Sequence, residues 1–490
     1  MHYFVPLHPF MPVIAIVLGY FSLLFAVSRW TGRRTTNDTF YRANRRSPWY
    51  MVAFGMVGAS ISGVTFVSVP GMVNNIGMTY LQTCMGFVVG YAVIAFVLLP
   101  LYYRLNLTTI YGYLQQRIGH RAYKTGASFF LLSKMTGAAV RFYVVCWILT
   151  QCGLDVPFVI VAVVMTVLIW LYTRQGGIKT VVWTDALQTL CLFGALLLMI
   201  YVVMDDLHMT TADAVTTIWH SDLSRIFVWD DWMSKQYFWK QFLSGAFIAI
   251  VMTGLDQDMM QKNLTCRSLR DAQKDMCSYS LAFFPANLLF LSLGVLLTCW
   301  YQKQGVALPV KGDELLPVFI QQTATIIPLT SYIFILGMVA AAFSSADSAL
   351  TALTTSWCVD ICQRADDERL RRRVHIAMAV VFVIFTLLFR MLNSTSVIDA
   401  IYILCSYTYG PLLGLFAFGL LTRRAANDRL VPYICLASPV ICFLLDGVVT
   451  WLTGYRFGYE LLMLNGLLTF IALWLSSLLP ATSTLSAECP

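Results

Sequence analysis

Long apolar segments alternate with short polar segments along the whole chain. Each apolar segment is near or above the roughly 20 residues that a helix needs to cross a bilayer. Thirteen can be marked, at residues 9–29, 48–71, 78–103, 123–152, 155–173, 180–204, 236–261, 276–301, 329–361, 374–391, 396–422, 430–451 and 457–480. Within lipid, a helix satisfies its backbone hydrogen bonds internally. The pattern therefore predicts an all-α polytopic membrane protein with thirteen transmembrane helices.

The composition agrees with this class. The 490 residues are 58% hydrophobic and only 12% charged, whereas soluble domains carry about 25% charged residues. No basic segment precedes the first apolar run, so we expect no cleavable signal. No long polar region interrupts the pattern, and residues 1–490 are expected to form a single transmembrane domain.

The basic residues indicate the orientation in the membrane. If the N-terminus is outside, cytoplasmic loops hold 24 of the 33 Lys and Arg residues and outside loops hold seven. Positive charge collects on the cytoplasmic side of membrane proteins. We therefore expect a multi-pass protein of the inner (plasma) membrane, with its N-terminus outside and its C-terminus cytoplasmic. The net charge of +8 then reflects topology and does not indicate a nucleic-acid partner.

Several chemistries are excluded by motif. The 13 cysteines form no CxxC pair, and the six histidines do not cluster. Such cysteines within apolar segments behave as small hydrophobic residues. The sequence has no Gly-rich phosphate-binding loop, which argues against an ATP-driven pump. We expect a protein that is not an enzyme.

The ninth apolar segment carries an unusual polar cluster. Ser344, Asp347 and Ser348 are spaced three and four residues apart, so they share one helix face. An ionisable residue in a membrane helix usually serves ion handling or substrate binding. Oxygen ligands without sulfur or imidazole suit an alkali or alkaline-earth cation. The alternative is a polar patch that only joins neighbouring helices.

The second and seventh segments are both interrupted by glycine. Residues 55–71 combine glycine with hydroxyl residues, and we expect Pro70-Gly71 to end that helix. Residues 244–258 are interrupted in the same way and run in the opposite direction. Interrupted helices in corresponding halves indicate inverted repeats around a binding site. Close helix packing through Gly55, Gly58 and Ser62 is the alternative.

With these features the chain resembles the sodium:solute symporter family, whose members share a LeuT-like fold of two inverted five-helix repeats. The resemblance covers nearly the whole chain. It rests on Phe40–Trp49 (FYRANRRSPW), Ser62-Gly63, Pro70-Gly71, Gly176-Gly177, Val182–Gln188 (VWTDALQ), Phe343–Ser348 (FSSADS) and Gly410–Gly414 (GPLLG). It implies repeats at 48–204 and 236–422, with peripheral helices at 9–29 and within 430–480.

The resemblance also implies a main sodium site between helices 2 and 9. Matched by position, its ligands are the carbonyls of Gly58, Ile61 and Ala341 and the hydroxyls of Ser344 and Ser345. Five uncharged oxygens make a weak site that can release its ion.

Some members hold a second sodium ion nearer the cytoplasm, so the expected number of sodium ions is one or two. The matching residues are Asp185, Ser344, Asp347 and Ser348. A different role for Asp185 is to cap helix 6 together with Thr184, since Asp is favourable near a helix N-terminus.

Family substrate sites lie between helices 2, 3, 4, 7 and 11. The residues nominated by position are Ser60, Ser62, Thr65, Tyr80, Gln82, Arg141 and Phe247. Sugar-transporting members have Gln at the position of Thr65 and a Tyr-Trp pair at that of Met252-Thr253, which argues against a hexose.

Two basic residues, Lys134 and Arg141, lie within helix 4 and on nearly the same face. The planar guanidinium of arginine matches a carboxylate with two hydrogen bonds. Sialic-acid-transporting members use an arginine on this helix in that way. Alternatively, Arg141 extends to the outer headgroups or pairs with an acidic residue of a neighbouring helix.

The resulting hypothesis is a sodium-coupled symporter, functional as a monomer in the lipid bilayer, that imports a small organic solute by alternating access. An organic anion such as a sialic acid or a monocarboxylate fits best. A sugar, polyol or amino acid is the alternative cargo. A membrane sensor without transport is the alternative of another class, and proton coupling through Asp185 or Asp347 is a third possibility.

Overall fold

The computed structural model describes residues 10–32, 36–151, 156–323, 328–392, 397–455 and 457–478. The regular secondary structure of these residues is helical, and the sole β-pairing among them is an isolated bridge between Ser47 and Cys266. The prediction of an all-α protein is therefore confirmed. Several predicted features lie outside the described residues, namely the segment limits at 9, 152, 155, 396 and 480 and the basic residues Arg33, Arg34 and Arg456.

The helices of the first half cover the predicted segments 1–6 and include three short helices outside them, at residues 37–42, 112–117 and 211–220. They are α1 (Phe10–Thr31), α2 (Asn37–Arg42), α3 (Trp49–Ser60), α4 (Gly63–Ile76), α5 (Tyr80–Val93), α6 (Leu99–Arg104), α7 (Gly112–Arg117), α8 (His120–Gln151), α9 (Phe158–Thr173), α10 (Ile178–Asp206) and α11 (Thr211–His220). A π-helical turn at Ile94–Leu98 joins α5 to α6 into one continuous span.

The second half of the chain contains the predicted segments 7–13. Its helices are α12 (Phe238–Ala249), α13 (Gln257–Asn263), α14 (Leu269–Gln304), α15 (Leu315–Thr323), α16 (Pro328–Ser356), α17 (Glu368–Leu392), α18 (Val397–Leu421), α19 (Val431–Thr453) and α20 (Leu461–Ser476). Further π-helical turns follow α12 at Ile250–Gly254 and α16 at Trp357–Ile361.

Eight of the described helices are long and apolar enough to cross a membrane, and two bent helix pairs raise this number to ten. Three shorter apolar helices, Ala15–Thr31, Phe158–Thr173 and Leu461–Ser476, coincide with the remaining predicted segments. A polytopic helical membrane protein is thus confirmed, while the count of thirteen spans stays a prediction.

The first bent pair is α3 and α4, which meet at an angle of 59°. Ile61 and Ser62 separate the two helices. The expectation that Pro70-Gly71 ends the span was wrong, because α4 continues through both residues to Ile76. A proline inside a membrane helix is tolerated when its surroundings satisfy the freed backbone groups. The chain turns instead at Gly77, whose φ of 60° is accessible mainly to glycine.

The second bent pair is α12 and α13, which meet at 70°. A π-helical turn at Ile250–Gly254 follows α12, and α13 begins at Gln257 with Asp256 as its N-cap residue. The Asp256 carboxylate caps the new helix by accepting hydrogen bonds from the backbone N–H groups of Asp258 and Met259. The bend therefore brings a charged helix start into the interior of the bundle.

Helix α16 lies at the centre of the bundle and α19 at its edge. The most apolar window of Thr330–Ile361 is 94% buried, whereas that of Val431–Thr453 is 17% buried. Helix α16 packs against α3, α4, α8 and α10. Its polar cluster at Ser344–Ser348 therefore faces protein on all sides, while α19 exposes apolar side chains such as Phe443 and Trp451 at the surface of the bundle.

Candidate functional site

A central cavity lies among α3, α4, α5, α8, α12, α14, α16 and α18. Its lining includes polar and charged side chains from both bent pairs and from α8, among them Ser60, Thr65, Lys134, Arg141, Asp256 and Tyr402. The site therefore combines broken helices with buried ionisable groups, which in a membrane protein indicates ligand or ion binding.

The break between α3 and α4 frees backbone carbonyl groups. Within residues 36–151, no backbone N–H group donates to the carbonyl of Gly58 or to that of Ile61. Gly58 packs so closely on α10 that an added Cβ atom would lie 2.0 Å from Thr189 Oγ1. Two of the three carbonyls that the resemblance assigns to sodium, those of Gly58 and Ile61, are therefore available as ligands.

Ser345 connects this break to α16. Its Oγ lies 3.4 Å from the carbonyl oxygens of both Ala59 and Ala341. Its partner on α3 is thus Ala59, next to the predicted Gly58. Ser345, Ala341 and the broken end of α3 form one oxygen-lined contact between α3 and α16, which we call the α3–α16 junction.

Ser344 points to a different helix. Its Oγ donates a 2.8 Å hydrogen bond to Asp185 Oδ1 on α10. Asp185 lies inside α10, which begins at Ile178 after Gly177. The alternative that Asp185 caps this helix was therefore wrong. Gly55 permits the close approach of α3, since a Cβ there would lie 3.0 Å from Asp185 Cβ.

Asp185 also forms a buried ion pair with Lys262. The Lys262 Nζ atom lies 2.7 Å from Asp185 Oδ2, and the two side chains are 2% and 1% exposed. Lys262 is one of the 24 basic residues that the charge pattern predicts in cytoplasmic loops, and this prediction is wrong for Lys262, which is buried within α13. The bend before α13 turns this residue inward, and its partner compensates for the cost of burying its charge.

Asp347 is held by donors from three sources. Its Oδ2 atom accepts a 2.7 Å hydrogen bond from the Tyr172 hydroxyl and lies 3.4 Å from Thr184 Oγ1. Its Oδ1 atom accepts a 2.6 Å bond from the backbone N–H of Ser348. The Ser348 hydroxyl donates to the Ser344 carbonyl at 2.8 Å and lies 3.2 Å from Asp258 Oδ2.

Lys134 of α8 forms a second buried cluster. Its Nζ atom lies 2.6 Å from Asp258 Oδ2 and 3.3 Å from Asp256 Oδ2. The Tyr409 hydroxyl donates a short hydrogen bond to the same carboxylate of Asp256. Both acidic residues stand at the end of the glycine-interrupted segment 244–258, and neither is among the predicted site residues.

Arg141 differs from Lys134 although both lie on α8. Its side chain is half-buried and lines the central cavity. Among the described residues, none forms an ion pair with it. The alternative that Arg141 pairs with a neighbouring acidic residue is therefore not observed, and its guanidinium is available to a ligand.

Five of the seven predicted substrate residues line the central cavity. They are Ser60, Ser62, Thr65, Tyr80 and Arg141. Ser60 Oγ is hydrogen-bonded to Tyr279 at 2.6 Å, and the Tyr80 hydroxyl is bonded to that of Tyr402 at 3.0 Å. The Tyr80–Tyr402 bond links α5 to α18 across the cavity.

The structure does not place Gln82 and Phe247 in that lining. Gln82 Nε2 donates to the carbonyl of Gln236 at 2.9 Å, and its Oε1 accepts from Val228 N–H at 3.3 Å. The Gln82 amide thus secures the loop before α12. Phe247 packs as a half-buried side chain against the hydrophobic core. Neither Gln82 nor Phe247 lines the central cavity, so their assignment to substrate binding stays a prediction.

The chain is similar to known proteins over most of its length. The model of the sodium:solute symporter family matches residues 40–428. The sodium/sialic acid symporter NanT of Aliivibrio fischeri is 23% identical over 449 residues, covering 87% of this chain and 86% of that protein. The sodium/sialic acid symporter SiaT of Proteus mirabilis is 24% identical over 437 residues, covering 84% of this chain and 85% of that protein.

Solved structures show the same fold. A Na⁺-coupled sialic acid symporter in a substrate-bound outward-open state superposes with a TM-score of 0.81 at 21% identity, covering 96% of this chain and 98% of that one. Mhp1, a nucleobase-cation-symport-1 family transporter in a closed conformation, gives a TM-score of 0.57 at 14% identity, with 91% and 96% coverage. At these identities the likeness concerns the fold alone.

Proposed function

The chain belongs to the sodium:solute symporter family, and we propose that it imports an organic anion together with sodium by alternating access. Its cargo is a sialic acid or a monocarboxylate, bound in the central cavity. The two relatives reported above are sialic acid symporters, which supports the first of these classes.

The observation that carries the proposal is the unpaired Arg141 in the cavity. Lys134 lies seven residues earlier on the same helix and is neutralised by Asp256 and Asp258. Arg141 has no such partner among the described residues and lines the cavity. A half-buried guanidinium without a counterion favours an anionic ligand, and its two parallel N–H donors match a carboxylate.

The rest of the cavity suits a ligand with hydroxyl or amide groups. Ser62 and Thr65 line it beside Arg141. Ser133 Oγ and Asn287 Oδ1 also belong to lining residues, and these buried atoms have no hydrogen-bond partner in the described part of the chain. Buried polar groups without partners cost free energy. A polar ligand that satisfies them is therefore bound more tightly than an apolar one.

Sodium binds at the α3–α16 junction in this proposal. Its ligands are the carbonyls of Gly58, Ile61 and Ala341 and the hydroxyls of Ser344 and Ser345. The Ser344 hydroxyl donates to Asp185, which leaves the lone pairs of its oxygen for the ion. The freed carbonyls at the helix break support this assignment. A cation there links α3 to α16, so sodium stabilises the conformation that binds substrate, and its release to the cytoplasm weakens substrate binding.

The proposed architecture is one transmembrane domain with thirteen spans and a LeuT-like arrangement. The inverted repeats comprise residues 48–204 and 236–422, with helix 1 and the helices within 430–480 at the periphery. The two bent pairs occupy equivalent places at the start of each repeat, which supports this division. We place the protein in the inner membrane as a monomer, with its N-terminus outside and its C-terminus cytoplasmic.

Uptake into proteoliposomes tests the function. Purified protein is reconstituted and supplied with radiolabelled sialic acid, pyruvate, glucose or proline, with either sodium or choline outside. We expect accumulation of an anion only when an inward sodium gradient is present. Binding of a solute without sodium-dependent accumulation would identify a sensor instead. Uptake that persists without sodium but fails when a pH gradient collapses would identify proton coupling.

A further inference from the structure

We propose that the Lys262 ammonium occupies the position of a second sodium ion, so that one sodium ion accompanies each substrate. This inference rests on the proposed sodium-coupled transport and deepens it by fixing the stoichiometry. The residues matched to a second sodium site, Asp185, Ser344, Asp347 and Ser348, do not fit a free sodium ion in this chain.

The first reason is the ion pair itself. The Lys262 Nζ atom lies 2.7 Å from Asp185 Oδ2, and both side chains are almost fully buried. The ammonium carries the same charge as sodium and contacts the one carboxylate of the set that faces it. A sodium ion at Asp185 would place two buried cations beside each other, and their repulsion is strong at low dielectric.

The second reason is that Asp347, the other carboxylate of the set, already has protein partners. Ser344 and Ser348 donate to Asp185 Oδ1 and to the Ser344 carbonyl and keep the lone pairs of their hydroxyl oxygens, so their hydrogen bonds do not exclude a cation. Both carboxylate oxygens of Asp347 accept hydrogen bonds, one from Tyr172 and one from the Ser348 backbone. Hydrogen bonds of this kind stabilise an ionised carboxylate without a metal ion.

The third reason is the position of Lys262 on the bent helix. It lies on α13, after the 70° bend that follows α12. The same short helix carries Asp258, which pairs with Lys134. Asp258 and Lys262 are four residues apart and share one face of α13, so the bend brings both lysine–aspartate pairs to that face. Lys262 links α13 to α10 in the way that a sodium ion would link helices in a two-sodium carrier.

The test counts bound sodium directly. Wild-type protein in nanodiscs is equilibrated with ²²Na⁺ at constant ionic strength, and the bound ion is measured per chain. Thermal unfolding is recorded in parallel as sodium replaces choline. We expect one bound sodium ion for the wild type and two for Lys262→Met, whose thermal stabilisation then depends on the square of the sodium concentration. Lys262→Arg retains the cation and is expected to bind one.

Other outcomes overturn the proposal. Two sodium ions in the wild type, or one in a folded Lys262→Met variant, would show that Lys262 does not replace an ion. If Lys262→Met fails to fold, bound sodium is measured instead in the double variant Lys262→Met/Asp185→Asn, in which both charges are removed. Two bound sodium ions in this variant would contradict a second site centred on Asp185. No bound sodium in the wild type overturns the proposed function itself.

Discussion

Asp185 and Lys262 are 77 positions apart in the chain, yet their charged atoms meet at 2.7 Å inside the bundle. One belongs to α10 and the other to the short helix beyond the second helix bend. This pair connects α10 to α13 beside Ser344, which is one of the proposed sodium ligands and donates to Asp185. The same contact that joins these two helices therefore occupies the place proposed for a second sodium ion.

Removing one member of this pair is expected to destabilise the protein strongly. Lys262→Met or Asp185→Asn alone leaves a buried charge without its partner, which costs about 3–5 kcal/mol. The double variant leaves no charge behind and should recover much of that loss. Thermal unfolding in sodium-free buffer measures the effect. Additive losses in the double variant would show that the two residues do not interact.

Arg141→Gln is expected to raise KM for the anionic substrate by about 10- to 100-fold, since a charge-assisted hydrogen bond contributes roughly 1.5–3 kcal/mol. Arg141→Lys keeps the charge but loses the planar pair of donors, and should give a smaller increase. Initial uptake rates at several substrate concentrations provide the measurement. The exposed Arg174, which stacks on Trp170, offers a matched control in Arg174→Gln. An unchanged KM in Arg141→Gln would exclude the carboxylate contact.

Ser345→Ala is expected to raise the sodium concentration that gives half-maximal uptake by about 10-fold or more, because one ligand of a charged ion is lost. Ser348→Ala is the control on the same helix, because the Ser348 hydroxyl is hydrogen-bonded to the Ser344 carbonyl and to Asp258 and is not part of the α3–α16 junction. Sodium titration of uptake distinguishes the two variants. Equal shifts in both would argue against an ion site centred on Ser345.

Import of a monovalent anion with one sodium ion moves no net charge. We therefore expect a membrane potential, set by valinomycin and potassium, to leave the steady-state accumulation of substrate unchanged. With two sodium ions, a potential of 100 mV, negative inside, would add about 2.3 kcal/mol per charge and raise accumulation roughly 50-fold. Accumulation ratios at zero and negative potential decide between these cases.

Gly58→Ala tests the close contact at the helix break. The new Cβ would lie 2.0 Å from Thr189 Oγ1 and 3.0 Å from its Cα, so α3 and α10 must separate. Overpacking of this kind costs about 1–3 kcal/mol. We expect a lower melting temperature and weaker sodium binding. Gly194→Ala on α10 is the control, since nothing lies within 4 Å of its Cβ position. Similar effects of both substitutions would contradict the proposed contact.

The sequence predicted the helix breaks but not their geometry. Glycine and hydroxyl residues at 55–65 weaken a helix wherever it lies, so the interruption of the second span was visible locally. The end of that span was misjudged at Pro70, because the tolerance of a membrane helix for proline depends on its neighbours. The position of Gln82 predicts a substrate ligand, but its side chain is hydrogen-bonded to Gln236 and Val228. These partners are far away in the sequence, so the local pattern does not indicate them.

By itself, the sequence determined the class of the protein, its helical spans and the residue types able to bind a cation, because hydrophobicity, helix length and side-chain chemistry are local properties. The tertiary structure alone decided which charges meet. The sequence places Lys262 in a loop, whereas the bend before α13 brings it into contact with Asp185. The sequence does not distinguish Lys134 from Arg141, whereas in the structure Lys134 forms ion pairs with Asp256 and Asp258. Ion pairing depends on distances across the bundle and on exclusion of water, and both arise only when the helices pack.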